Sequence, residues 1–542
     1  MHPFRQLSVL GLLLGTLFFA FSLTPSLVPR PFHVQGILSG LSFAAGYWLG
    51  FAGRWLWCYL GLPLPRPRLE LTLKCIAAAF CLVVAGLFLR QASEWQNSVR
   101  MLMEMDEVGG IRPFSIGLIA LLVFVVLLLL GRLFRKTFIV LSDRLSRHVP
   151  HRVSLVLGVA ASVVLFWSVI DGVIFTLALR AADNSYQQLD VLMQDEVEPP
   201  EDPTVTGGAE SLVSWEALGG RGRRFVTSGP RAAELSDFFG EEMPAPLRVY
   251  VGLNAAETPE ERAELALQEF KRVGGFDRSV MILATPTGRG WVDPAALDTA
   301  EYLHRGDIAT VTMQYSYLPS PLSLMVEADY GAESARALFK AIYNHWSRLP
   351  ADERPRLYLH GLSLGALNSD RSFDVYDIID DPFDGVLWSG PPFRSETWSM
   401  VTRDRDAGTP AWLPTFRDGA VVRFMNQYER LDTMEGRWGD FRIAFLQYAS
   451  DPVTFFQPSM FYREPAWMES PRGPDVSPEL RWYPVVTMLQ LVADIAAGKA
   501  PTGYGHEIAA PDYIDAWLAL TEPEGWSESD LARLRARFDH RR

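Results

Sequence analysis

The sequence predicts an α/β fold class: a domain with a mostly parallel sheet covered by helices, following an N-terminal transmembrane helical bundle. Three observations carry that prediction. Apolar runs of about twenty residues fill the first third of the chain, short β-branched runs alternate with amphipathic stretches from residue 246 on, and a Gly-x-Ser-x-Gly stands between one such run and a helix. The expected organisation is a membrane helical domain at 1–181, a linker and junction at 182–245, and a catalytic α/β domain at 246–542.

Taking the chain in order, apolar stretches lie at 7–23, 36–53, 71–89, 114–130 and 153–179. Each is about the length that crosses ~30 Å of hydrocarbon, so five spans are expected. The 7–23 run is long and no A-x-A site follows it, which favours an uncleaved anchor over a signal peptide. Between the fourth and fifth runs stand Arg132, Arg135, Lys136, Arg144, Arg147 and Arg152 against a single Asp143. The positive-inside rule puts this loop in the cytoplasm. Arg5, Arg66 and Arg68 then fall on the same side, and the mixed-charge 90–112 loop falls outside. The C-terminal domain is accordingly expected on the extracytoplasmic face of the cell (inner) membrane, with the lipid bilayer as its first partner. Asp171 inside the fifth run reads as neutralised or hydrated between helices rather than as part of an ion path.

Beyond the spans, 195–208 is rich in Pro, Glu and Asp and reads as an extended linker. Arg221, Arg223 and Arg224 form a small basic cluster, suited either to anionic headgroups or to a solvated loop. Strands are expected at 247–253, 279–285, 308–314, 356–362, 421–426 and 442–448. Helices are expected from the Thr258/Glu261 capping box to about 273, from Asp293 and Pro294 to 304, over 328–346 and over 485–497. The acidic residues Asp370, Asp374, Asp377, Asp380, Asp381 and Asp384 read as a solvated helix face and its cap.

Composition bounds the chemistry. The 542 residues are 49% hydrophobic and 12% aromatic, enough to bury a large core, and the net charge is −13. Nucleic acid is a poor partner for so acidic a chain. Cys58, Cys75 and Cys81 all lie in the membrane third, with no disulfide framework and no metal-ligand spacing, so no metal or cofactor is expected. The remainder has no thiol, which excludes a cysteine nucleophile there.

That leaves Ser363. In Gly361, Leu362, Ser363, Leu364, Gly365, the flanking glycines relieve crowding in a sharp strand-to-helix turn that exposes the serine Oγ at the sheet edge. A serine needs a base, and in such sites the acid and then the histidine follow the nucleophile in the chain. Only His506 and His540 follow, and His540 stands at a terminus where chains fray, so His506 is the base. Asp451, after the 442–448 strand and followed by Pro452, is the favoured acid, with Asp432 as its competitor. The amide of Leu364 and, from the loop after the second strand, that of Thr287 are the expected oxyanion donors. His360 on the preceding strand reads as a hydrogen-bonded core residue.

The stretches GLSLGA at 361–366, ASDPV at 449–453, RWYPVV at 481–486 and GYGH at 503–506 together resemble a bacterial family of multi-span membrane proteins with a C-terminal α/β-hydrolase domain. The resemblance runs through most of the chain and implies Ser363, Asp451 and His506 as a catalytic triad. Two departures stand out: Leu362 occupies a place where many hydrolases of this fold have histidine, and no strand is evident between acid and base. The expected function is a membrane-anchored serine hydrolase acting on an ester or thioester of a small-molecule, lipid or envelope-derived acyl substrate. The alternatives are an acyltransferase on the same triad, or an idle hydrolase fold serving as envelope scaffold or transport accessory. The aromatic residues at 455–467, with Trp482 and Tyr483, either line an apolar cleft or belong to the core.

Overall fold

The computed structural model describes residues 7–63, 67–110, 112–147, 150–167, 198–317, 328–433 and 436–539. Arg5, Arg66, Asp171, His540 and the end of the expected fifth span lie outside them. The chain divides into two compact units: a helical one (Met1–Ala182, Gln457–Met468, Val476–Lys499) and a sheet one (Asp183–Phe456, Glu469–Asp475, Ala500–Arg542). Residues 457–468 and 476–499, which fall within the 246–542 range expected for the catalytic domain, cluster with the helical unit.

The sheet unit holds seven strands: β1 (Leu247–Val251), β2 (Val280–Thr285), β3 (Ile308–Met313), β4 (Arg356–Leu362), β5 (Gly385–Ser389), β6 (Val422–Met425) and β7 (Arg442–Leu446). They run in the order β1-β3-β2-β4-β5-β7-β6, and every pairing is parallel. Almost every strand residue is buried, as a parallel sheet covered on both faces requires. The Pro259–Arg272 helix starts with the expected reciprocal cap between Thr258 and Glu261. Strand β5 was not foreseen. Its five residues follow the acidic run, which splits by role: Asp374 caps the short Val375–Ile378 helix, whereas Asp384 accepts the Leu357 amide at 2.8 Å and fastens β4 to the approach of β5.

Two arginines in this unit are structural. Arg248 on β1 is buried and bonds Glu301 and Asp298 at 2.7 Å and the Phe225 carbonyl oxygen at 3.0 Å. In the basic cluster, Arg223 is buried in the Gly219–Thr227 helix, donates to the Trp215 carbonyl oxygen at 2.9 Å and stacks on its ring. The cluster is therefore a helix with one arginine in the core, not a solvated loop.

The helical unit contains α1 (Val9–Ser22), α2 (Phe32–Tyr59), α3 (Pro67–Leu102), α4 (Pro113–Leu145) and α5 (His151–Trp167). Two helices are long and apolar enough to cross a membrane: α4 and, within α3, Thr72–Leu102. Only 6% of the most apolar stretch of α3 and 17% of that of α4 are buried, so their leucines and valines face outward. Among the described residues the other three fall short of the expected five spans for visible reasons: α1 has 14 residues, α2 is diluted by Gly, Ser, Tyr and Arg54, and α5 is described only to Trp167. Glycines let α2 approach its neighbours closely. A Cβ on Gly46 would sit 2.4 Å from the Leu14 carbonyl oxygen of α1, and one on Gly40 would sit 2.8 Å from that of Ala120 on α4. Small residues four apart are what packs helices backbone to backbone where no water drives association.

The Val486–Ala497 helix belongs to this unit. Its Asp494 accepts from Ser26 Oγ at 3.0 Å and the Leu27 amide at 3.2 Å, and Gln490 donates to the Thr24 carbonyl oxygen. Tyr483 stacks on Phe21 at 4.0 Å and Trp467 is buried, whereas Phe461 and Tyr462 are exposed. The aromatic stretch thus divides between core and surface.

Candidate active site

Strands β4, β5 and β7 are neighbours, and the chain segments leaving their carboxyl ends build the site, where open parallel sheets place their ligands. After β4, Ser363 adopts φ 56° and ψ −121° before the Leu364–Asp370 helix. A non-glycine residue in that region costs about 1–3 kcal/mol, which the surrounding packing must hold. The flanking glycines are sterically required: a Cβ on Gly361 would lie 2.3 Å from the Gly365 carbonyl carbon, and one on Gly365 would lie 2.2 Å from the Thr285 carbonyl oxygen. The Ser363 amide donates to Ser389 at the end of β5, 3.0 Å away.

Five residues beyond β7, Asp451 is fully buried and caps the Pro452–Phe455 helix. Its Oδ1 accepts the Val453 amide at 2.8 Å, and its Oδ2 accepts Thr454 Oγ1 at 3.0 Å and lies 2.7 Å from His506 Nδ1. The structure thus brings Asp451 to His506. Asp432, its competitor, is exposed in a short 3-10 turn beside Arg423. The His506 imidazole is about a quarter exposed, and its Nε2 has no hydrogen-bond partner among the described residues. Burial works against the His506 cation, but the Asp451 carboxylate outweighs it and holds the imidazole pKa above its ordinary value.

Ser363 and His506 both border the end of β5. Ser363 is bonded to Ser389, and the next residue, Gly390 (φ 47°), lies under the imidazole: a Cβ there would be 2.7 Å from His506 Cε1 and 3.1 Å from Asp451 Oδ2. No hydrogen bond joins Ser363 Oγ to Nε2. In free enzymes of this type that bond is often long and tightens with substrate.

No strand precedes His506. Its loop is instead tied down by side chains. The Gly505 amide donates to Ser450 Oγ at 2.9 Å, and Ser450 in turn donates both its amide and its hydroxyl to buried Asp475, at 3.0 and 2.6 Å. On the other flank, Tyr448 bonds Asp512 and accepts the Ala509 amide at 3.0 Å. Sequence reasoning missed Gly390, Ser450, Asp475 and Tyr448. Tyr448 and Asp475 belong to no motif, and only the Gly-x-Gly before His506 signals a tight turn.

The oxyanion donors divide. Leu364 is the first residue of its helix, where an amide has no intrahelical acceptor. Thr287 does not serve as expected: its amide closes a turn onto the Trp291 carbonyl oxygen at 2.9 Å, because Gly290 at φ 74° folds the loop back. His360 is a core residue, with Nδ1 2.9 Å from the Leu387 carbonyl oxygen and its pKa lowered to about 4 by burial. A second unforeseen group is Asp293. Read only as a helix start, it is buried, caps the Pro294–Leu303 helix, and has its pKa raised to about 6 by desolvation. Its charge adds to the field that raises His506. No cluster of three metal-ligating side chains occurs among the described residues.

Residues 247–534 match the family model described as alpha/beta-hydrolase family, and residues 23–230 match the one described as that family's N-terminus. No curated protein and no solved structure matches the chain. With over half its length in the first match, the chain belongs to this alpha/beta-hydrolase family.

Proposed function

We propose that this alpha/beta-hydrolase family member is a membrane-anchored serine hydrolase that cleaves an ester or thioester bond of a lipid or envelope-derived substrate. The observation that carries the reading is the 2.7 Å pairing of His506 Nδ1 with buried Asp451, which leaves Nε2 open beside the strained elbow of Ser363. In the forward half-reaction, Ser363 Oγ attacks the carbonyl carbon and Nε2 takes its proton. The Leu364 amide supports the oxyanion, the imidazolium returns the proton to the leaving group, and the acyl-enzyme forms. Water, deprotonated by the same nitrogen, then releases the acid. Asp451 holds the tautomer that keeps Nε2 unprotonated. Anchoring is supported by the outward-facing apolar surfaces of α3 and α4, and the basic residues in the C-terminal part of α4 (Arg132, Arg135, Lys136 and Arg144), with Arg147 just beyond it, favour an extracytoplasmic sheet unit. One chain carrying both units confines the catalytic domain to the bilayer surface, which favours a lipid-derived substrate.

A fluorophosphonate probe applied to the purified full-length protein tests this. Labelling is expected at Ser363, with loss in Ser363→Ala and His506→Ala. Turnover in Ser363→Ala should fall by about 10⁶. Folded wild-type protein that takes no label would overturn the reading.

A further inference from the structure

We propose that the helical unit carries a phosphate-binding site of its own, centred on Arg30 and independent of the hydrolase chemistry. A cavity of about 750 Å³ opens among the loop before α2, the end of α3, the start of α4 and the end of the Val486–Ala497 helix. Among the described residues, Arg30, Arg100, Arg112 and Lys499 line it as permanent cations, and none of the lining residues is acidic.

Arg30 gives the site its purpose. The residue is 7% exposed, and its side chain is completely buried. Its Nε stands 3.5 Å from Asp494, while Nη1 and Nη2 have no hydrogen-bond partner among the described residues. An unpaired buried guanidinium edge is costly, and a protein that needed Arg30 only for structure would close it. The two Nη groups form a fork that matches two oxygens of one phosphate, and being sealed from solvent they meet it when the side chain turns toward the cavity that Arg30 lines.

The surroundings fit the same ligand. Pro29 and Pro31 restrict the backbone on either side of Arg30, and the Arg30 amide is tied to Gln96 Oε1 at 3.1 Å. The backbone that carries the guanidinium is therefore held at the cavity before anything binds. Arg112 lies over the Phe32 ring, 5.3 Å from its centroid, so its charge is carried on a wall of the cavity. Both α2 and α4 begin at the cavity, so their amide ends add positive potential. The remaining walls are apolar, with Phe32, Met105 and Val108 among them. A phosphate carried on an amphiphile would satisfy both kinds of wall, and a free phosphate would satisfy the cations alone.

The test uses full-length protein in a neutral detergent. It is titrated separately with inorganic phosphate, short-chain phosphatidylglycerol and the matching diacylglycerol, with binding read by native mass spectrometry and thermal shift. Saturable binding of phosphatidylglycerol or phosphate, but not diacylglycerol, is expected. Arg30→Gln should weaken it at least tenfold. Arg112→Gln, at an exposed position that folding tolerates, should weaken it several-fold, and Arg144→Gln at the opposite end of α4 should leave it unchanged. Binding of phosphatidylglycerol alone supports the site and assigns it to a lipid headgroup. Binding of phosphate alone, or of both with similar affinity, supports it as a site for the anion itself. Failure of both ligands to saturate, or equal affinity in Arg30→Gln, Arg112→Gln and wild type, would overturn the proposal.

Discussion

Both units bury an arginine, and they treat it differently. In the sheet unit, Arg248 spends its guanidinium on Glu301, Asp298 and the Phe225 carbonyl, all within 3.0 Å. In the helical unit, Arg30 has only Asp494 at 3.5 Å and two open nitrogens. The same contrast exists within the candidate active site, where His506 Nδ1 is paired and Nε2 is not. A buried polar group that the protein satisfies holds the fold together. At Arg30 and His506 the unpaired atoms stand where the proposed phosphate and substrate would arrive.

The largest test of that contrast is to disturb the paired side of His506. Asp451→Asn should lower kcat by about 10⁴, because the amide no longer fixes the tautomer that leaves Nε2 free. The pH profile supplies a second reading. A neutral imidazole is the active form, so wild-type activity should rise with pH through a midpoint above the ordinary histidine value. In Asp451→Asn burial remains while the anion is gone, so the midpoint should fall. An unchanged midpoint would mean that Asp451 does not act on His506.

Next in size is the pair of arginines. Arg248→Met strands two buried carboxylates and should cost about 3–5 kcal/mol in unfolding of the detergent-solubilised protein. Arg30→Met should cost far less, within about 1 kcal/mol of wild type, since it removes a buried charge that has no hydrogen-bond partner among the described residues, while Asp494 keeps its bonds from Ser26 and Leu27 and burial already pushes it toward the protonated form. Equal losses would remove the distinction between a closed and an open arginine.

The smallest effect concerns Asp293. Its folded pKa of about 6 lies above the unfolded value, so the fold favours the protonated acid. The resulting penalty is absent at low pH, grows as pH rises past 4, and is complete above about 6. Asp293→Asn keeps an acceptor for the Ala295 amide and should be the more stable protein at pH 7–8, by up to about 3 kcal/mol, with the gain vanishing near pH 4. A gain that persists at pH 4 would assign it to capping rather than charge.

What could be read along the chain was what neighbouring residues dictate together. The elbow at Ser363 follows from two glycines and a strand, and the Pro259–Arg272 helix from Thr258, Pro259 and Glu261. The apolar character of α3 and α4 is composition alone. Strand β5 was missed because five residues after an acidic run are too few to show a period. Thr287 was misjudged because an amide's availability depends on where Gly290 turns the loop, which no residue type announces.

Sequence by itself therefore determined the alternation of strand and helix, the apolar helices, and the candidates for nucleophile and, by elimination, base. These are rules over adjacent residues, or over a residue type that occurs only twice after Ser363. Tertiary structure decided which carboxylate meets that base, that Gly390 makes room for the imidazole, that Asp475 fastens its loop through Ser450, and that Asp494 meets Ser26 across 468 residues of chain. The reason is physical: a buried group's charge, freedom and partners are set by whatever packs around it, and those neighbours come from anywhere in the chain.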